Sequence, residues 1–129
     1  MDCRILTAGK AKQKALEFAY THPELNYVVF KWYYDLRPVK AYFLYCNDIL
    51  VTIALLRKCD MDPYAEYKNP YMMDYMYTVP EHRRTGMALY VLNYIKQHDT
   101  TIAITEENVF EKAGFHKTKN MNVVIYRYP

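Results

Sequence analysis

Residues 79–92 read VPEHRRTGMALYVL, a proline, two arginines and a glycine directly ahead of apolar positions at helical spacing. Ala88, Val91, Leu92 and Ile95 form one stripe, which predicts a helix over residues 87–98. The preceding run, YMMDYMYTV at residues 71–79, reads as a strand. A strand, a short loop and a helix with glycine in the first turn leave backbone N–H groups unpaired at the positive end of the helix dipole, a geometry that binds phosphate. A β-carbon at Gly86 would hold a ligand away from those amides, and Arg83 and Arg84 add charge for an anion. The pattern Arg83-x-x-Gly86-x-Ala88 is neither GxGxxG nor GxxxxGK[ST], which sets aside dinucleotide and nucleoside-triphosphate loops. An ordinary loop with a solvated arginine pair fits the same residues.

Outward from this turn the chain alternates helices and strands. Residues 10–21 put Ala11, Ala15, Leu16 and Ala19 on one face with lysines opposite, predicting an amphipathic helix that ends at His22-Pro23. Residues 26–36, NYVVFKWYYDL, fit either a short helix or a strand, closed by Arg37-Pro38. Residues 39–58 hold two β-rich runs joined at Asn47-Asp48, a dipeptide that tolerates the positive φ of a tight hairpin. Residues 59–70, CDMDPYAEYKNP, form a loop. Beyond the 87–98 helix, residues 100–105 read as a short strand and 106–113 as a short helix stopped at Gly114. Residues 115–128 supply one or two final strands. The order predicts an α/β fold with a mixed sheet, one domain over residues 1–129.

The bulk properties narrow the class. The 129 residues are 52% hydrophobic and 24% charged with a net charge of +3, the balance of a soluble globular protein. Basic residues are spread along the chain rather than clustered, which argues against a nucleic-acid partner. The longest apolar run, Ile49 to Leu56, falls far short of the roughly 20 residues that cross a bilayer, so no membrane association is expected. An acid at position 2 and no apolar stretch ending in small residues give no secretory signal, hence a cytoplasmic expectation, the host cytoplasm for a viral protein. Cys3, Cys46 and Cys59 lack paired or metal-ligand spacing and read as reduced thiols, with no metal site.

A second stretch, NVFEKAGFH at residues 108–116, lies about twenty residues after the first motif. Together the two resemble the GNAT superfamily of acyl-CoA-dependent N-acyltransferases, in which a V-x-P-E-[YH]-R-x-x-G-x-[GA] loop precedes a helix and an F-Y-E-K-x-G-F segment follows the next strand. Gly86 and Gly114, two of the three glycines in the chain, fall on the family's two glycine positions. The resemblance covers roughly residues 39–128. It implies a GNAT-like α/β fold: a central, mixed, mostly antiparallel sheet flanked by helices and splayed at the acyl-CoA site.

The resemblance also implies an activity, transfer of an acetyl group from acetyl-CoA to a primary amine by direct attack through a tetrahedral intermediate. The pyrophosphate maps onto Arg83, Arg84, Thr85, Gly86, Met87 and Ala88. The pantetheine arm would lie beside residues 75–78, touching Met76, Tyr77 and Thr78, with an amide near Met76 or Tyr77 facing the thioester carbonyl. Asn108, Phe110 and Lys112 complete the cofactor contacts. Lys112 reaches either phosphate or solvent.

An alkylamine with a pKa near ~10.4 must lose a proton before it attacks. Asp74 is the only acid on YMMDYMYTV and is expected to share a face with Met72, Met76 and Thr78, which makes it the first candidate base; the alternative is a solvated or ion-paired carboxylate. Glu66 is the second candidate. His82 is the third, with packing as its other role. Phe110 stands where the family has the tyrosine that protonates the departing thiolate, and with Ala113 and Phe115 it also fits simple core packing.

The acceptor, a small molecule or a protein amine, would enter from the side formed by the early helices and the loop of residues 59–70, where Asp60, Asp62 and Glu66 with Tyr64, Tyr67 and the adjoining Tyr71 suit an ammonium group; a solvated acidic loop is the alternative. The protein is expected as a monomer or homodimer. The rival reading is a GNAT-fold module without catalysis, an acyl-CoA binder or a structural component such as one in a viral particle.

Overall fold

The computed structural model describes residues 1–59, 70–99, 101–104, 109–120 and 123–128. The strands are β1 (Asp2–Thr7), β2 (Val39–Cys46), β3 (Ile49–Lys58), β4 (Tyr71–Thr78), β5 (Thr101–Ile104), β6 (His116–Asn120) and β7 (Val123–Tyr128). The helices are α1 (Ala8–Tyr20), α2 (Asn26–Tyr33), α3 (Met87–Lys96) and α4 (Val109–Lys112). All seven strands form one sheet in the order β1-β2-β3-β4-β5-β7-β6, antiparallel throughout except for the parallel pair β4–β5.

Local chemistry explains most of these elements. Asn47 and Asp48 take φ values of 52° and 63° and close the β2–β3 hairpin, as their side chains allow. Gly114, at φ +85°, ends α4, with Phe115 N–H donating to the Phe110 carbonyl at 2.9 Å. The ambiguous stretch after Pro23 is helical. Leu25, Val29 and Trp32 recur at helical spacing and are buried, and the Trp32 indole donates to the Leu56 carbonyl at 3.0 Å. The N-terminal strand β1 is an element the sequence reading did not foresee. It is a half-buried edge strand with Asp2 and Arg4 exposed, so its alternation is too short and too polar to stand out locally.

The helices divide between the two sheet faces. Tyr77 of β4 meets Phe18 of α1 edge-on at 6.1 Å, whereas Tyr42 of β2 meets Tyr94 of α3 edge-on at 6.1 Å. Tyr77 pairs with Ile53, and Tyr42 pairs with Ala54, so the two contacts lie on opposite faces. Thus α1 and α2 cover one face and α3 the other, with α4 beside α3 through a hydrogen bond from Lys96 Nζ to the Ala113 carbonyl at 2.5 Å.

Two irregularities sit together in β4. Leu55 pairs with Tyr75 and Leu56 with Met73, which leaves Asp74 as the extra residue of a β-bulge. On the other edge, β4 pairs with β5 only at Tyr71↔Thr101 and Met72↔Ile102, after which the strands part and β5 continues along β7. The sheet is therefore splayed beside residues 73–78, the stretch that leads into the Gly86 turn.

Candidate functional site

Val79 follows β4 with its N–H donating to the Val51 carbonyl at 2.9 Å, and Pro80–His82 make one 3-10 turn. Arg84 and Gly86 then both adopt left-handed backbone, φ 62° and 85°, on either side of Thr85. Alternation of this kind turns successive amides toward one side, a concavity suited to an anion. A β-carbon placed on Gly86 would meet nothing within 4 Å, so the space beside the turn is open. The first turn of α3 has no side-chain cap and no acidic residue, leaving its leading amides for a ligand. A cavity of about 490 Å³ lies here, lined by Thr78, His82, Arg83, Arg84, Gly86, Met87, Ala88, Leu89 and Lys112.

A second cavity, of about 210 Å³, lies on the other face between α2 and β3–β4. Tyr27, Val28, Lys31 and Trp32 of α2 face Arg57, Asp74 and Tyr75 across it, with Asp35 and Arg37 at one end. Asp74 accepts from Arg57 Nε at 2.7 Å. Burial pushes the Asp74 carboxyl above the ordinary carboxylate range, against the opposing pull of Arg57. Asp35 behaves in the opposite way. Arg37 donates to it from Nε, Nη2 and the backbone amide, and this holds its pKa down at about 2.

No family model matches the chain, and no curated protein matches it. Solved structures do. The aminoglycoside 6'-N-acetyltransferase AAC(6')-IG of Acinetobacter haemolyticus aligns with a TM-score of 0.57 at 16% identity, over 92% of this chain and 94% of that one. A protein assigned as a GNAT-family acetyltransferase from Desulfovibrio desulfuricans reaches 0.63 at 12% identity, over 98% of both chains. A chain of a KacTA–DNA complex reaches 0.61 at 10% identity, over 98% and 93%. The chain has the GNAT fold.

In the GNAT fold of this chain, the residues expected at acetyl-CoA fall into distinct places. Thr78, Arg83, Arg84, Gly86, Met87, Ala88 and Lys112 converge on the larger cavity. Thr85 belongs to the same turn, but its hydroxyl donates back to the His82 carbonyl. Arg83 donates from Nε to the Thr78 carbonyl at 2.8 Å and lies over the Tyr77 ring at 5.2 Å, so it braces the turn from the strand side. Arg84 has no such partner among the described residues. By register Met76 shares the α3 face with Thr78, whereas the Tyr77 side chain points to the α1 face and donates to Glu24 Oε1 at 3.1 Å. Phe110 is 3% exposed and packs on Tyr126 and Phe115 at 5.4 and 5.3 Å, in the core and not at the cavity.

Asp74 requires a correction. It does not share a face with Met76 and Thr78, because the bulge adds a residue and turns its side chain to the α2 side, beside Arg57 and Tyr75. His82 lines the larger cavity, away from Asp74. Tyr71 lies beneath the ammonium groups of Lys40 and Lys58, at 4.6 and 4.7 Å, instead of standing free for a ligand. Glu66 and Asn108, with Asp60, Asp62, Tyr64 and Tyr67, lie outside the described residues. Residue-by-residue reading missed Arg57, Asp35 and Arg37. Their one signal was a pair of charges, Arg57 and Lys58, closing an otherwise apolar strand. Among the described residues no group of His, Cys, Asp and Glu could hold a metal, and no helix is long and apolar enough to cross a membrane.

Proposed function

We propose that the protein is an N-acetyltransferase that moves the acetyl group of acetyl-CoA to a primary amine. One observation carries the reading: an open, left-handed glycine turn with free helix amides stands at the end of the strand edge that parts from its neighbour. Amides of Gly86, Met87 and Ala88 with Arg84 and Lys112 fit a pyrophosphate, since they combine donors with charge in one concavity. The gap beside residues 73–78 accepts an extended arm, whose far end reaches the bulge and the Asp74 cavity beyond it. Backbone amides on that open edge, near Met76 or Tyr77, serve as oxyanion donors.

Asp74 acts as the base. Its raised pKa makes it a better proton acceptor than an ordinary carboxylate. The amine nitrogen attacks the thioester carbon, its proton passes to Asp74, the carbon–sulfur bond breaks, and the thiolate takes a proton from solvent, since Phe110 has no proton to give and is packed in the core. A thiol of pKa near ~8.5 leaving as thiolate at pH 7 forgoes roughly 2 kcal/mol, a slowing of tens of fold at most. With the family's tyrosine position filled by a phenylalanine that packs in the core, a second reading is a module that holds acyl-CoA without turnover.

Titration calorimetry separates the two from a protein that binds no cofactor. Micromolar binding of acetyl-CoA, lost in Gly86→Asp, with release of free coenzyme A in the presence of an amine, supports the enzyme. Binding without release with any amine supports the module, and no binding at all removes both.

A further inference from the structure

Helix α2 with its two capping residues, Leu25 and Tyr34, carries two apolar stripes. Leu25, Val29 and Trp32 face the core, and Tyr27, Phe30 and Tyr34 face outward at i, i+3 and i+7. The outward rings are 77%, 48% and 73% exposed, and Tyr20 beside them at the end of α1 is 90% exposed. Exposed apolar stripes of this kind mark interaction surfaces. This one is continuous with the Asp74 cavity. Tyr27, Lys31 and Asp35 line both that cavity and a shallow groove of about 500 Å³ outside it, and Phe30 lines the groove and a further one of about 420 Å³ against Leu16 and Tyr20. Through these shared residues the three depressions adjoin one another, from Asp74 to the end of α1.

We infer that the acceptor is a polypeptide amine, a lysine side chain or an N-terminus, that enters at Asp74 while its neighbouring apolar side chains lie over Tyr27, Phe30, Tyr34 and Tyr20. This rests on the acetyl-transfer reading. The inner cavity, about 210 Å³, is smaller than the ~300–1,000 Å³ that encloses a whole drug-sized ligand, so it holds the end of a chain. Its walls present Lys31, Arg37 and Arg57 against Asp35 and Asp74, with Asp35 already held by Arg37, a balance that disfavours a polycation. Scaled by their exposed fractions, the four rings offer roughly 430–720 Å² together, taking 150–250 Å² for each when fully buried. That is below the ~800 Å² per partner of a stable complex and matches a transient substrate encounter better than a permanent second copy.

The test compares labelled peptides by fluorescence anisotropy: a lysine flanked by Phe and Leu, the same lysine flanked by glycines, and a peptide with the apolar flanks, a free N-terminus and no lysine. At least one apolar-flanked peptide is expected to bind about tenfold more tightly than the glycine-flanked one, a preference of the size that one or two aromatic contacts supply. The double variant Tyr20→Ser with Tyr34→Ser, at exposed positions, erases the preference while acetyl-CoA affinity and coenzyme A release with Nα-acetyl-lysine methylamide stay unchanged. Equal binding of all three peptides, or a preference that survives the double variant, overturns the inference. So does a dimer by sedimentation that the double variant dissociates without altering peptide affinity, which assigns the stripe to a second copy. If acetyl-CoA fails to bind while the peptide ranking holds, the transfer reading fails and the docking surface stands.

Discussion

Asp74 accepts a 2.7 Å hydrogen bond from Arg57 Nε on the α2 side of the sheet, and it reaches that side because it is the extra residue of the β4 bulge. The same guanidinium lies 3.9 Å from Asp35, so the base proposed for the reaction is tied both to β3 and to the end of α2.

On that arrangement Asp74→Asn removes the proton acceptor and keeps the shape. Turnover is expected to fall by ~100-fold or more while acetyl-CoA affinity is unchanged. The raised pKa of Asp74 fixes the sign of the pH dependence: the active carboxylate is lost as pH falls through a value above the usual carboxylate range. Arg57→Gln removes the charge that opposes this rise, so the acid limb of kcat/KM against pH moves to higher pH. A limb that does not respond to Arg57→Gln assigns the proton transfer elsewhere.

Asp35 supplies the opposite case. Its folded pKa, about 2, lies below its unfolded value, so its contribution to stability is present above the unfolded pKa and is lost as pH falls toward 2. The full shift corresponds to about 2 kcal/mol, and to about 1 kcal/mol once solvent screening is allowed for. Urea unfolding of wild type and Asp35→Asn should therefore differ by that amount at pH 6, with the difference shrinking below pH 4 and vanishing only below about pH 2.

Gly86 separates backbone strain from ligand space. With φ at +85° and open space where a β-carbon would sit, Gly86→Ala costs ~1–2 kcal/mol of strain without a clash. The fold should survive, with a lower melting temperature and weaker acetyl-CoA binding, whereas Gly86→Asp should abolish binding by placing a carboxylate against the pyrophosphate. Thermal unfolding and calorimetry on the same two variants check both halves.

Phe110→Tyr tests the departure from the family's tyrosine. Because the ring is buried between Tyr126 and Phe115, a new hydroxyl enters the core instead of standing over the thioester. Burying an unpaired hydroxyl costs on the order of 1–3 kcal/mol, so a lower melting temperature with no gain in turnover is expected. A rise in turnover across several amines would place the residue at the reacting thioester after all.

These residues also mark what local sequence could and could not reveal. Gly86, Gly114 and Asn47-Asp48 were legible because positive φ is a property of one or two residues. The face of Asp74 was not, since strict alternation was assumed and a single bulged residue reverses it. Arg57 escaped notice because its partners are 17 and 22 residues away in opposite directions, and β1 because its pairing with β2 spans the whole of α1 and α2.

The remaining prediction concerns the scaffold behind the site. Asp99, just after α3, is almost fully buried; it takes an ion pair from Lys40 Nζ at 2.6 Å and a hydrogen bond from the Tyr42 hydroxyl. These contacts pin the C-terminal end of α3 to β2, while the other end of α3 carries the Gly86 turn. Removing Lys40 leaves the buried Asp99 carboxylate with the Tyr42 hydroxyl alone and costs up to ~3–5 kcal/mol, whereas replacing the pair by apolar groups of similar volume costs less, chiefly the Tyr42 hydroxyl left without its acceptor. Lys40→Met alone should therefore destabilise the protein, and adding Asp99→Leu should recover part of the loss, less the roughly 1–3 kcal/mol of the Tyr42 hydroxyl left unpaired. Denaturant unfolding of the two single variants and the double variant measures the coupling, and additive losses would show that the ion pair contributes nothing to the seating of α3.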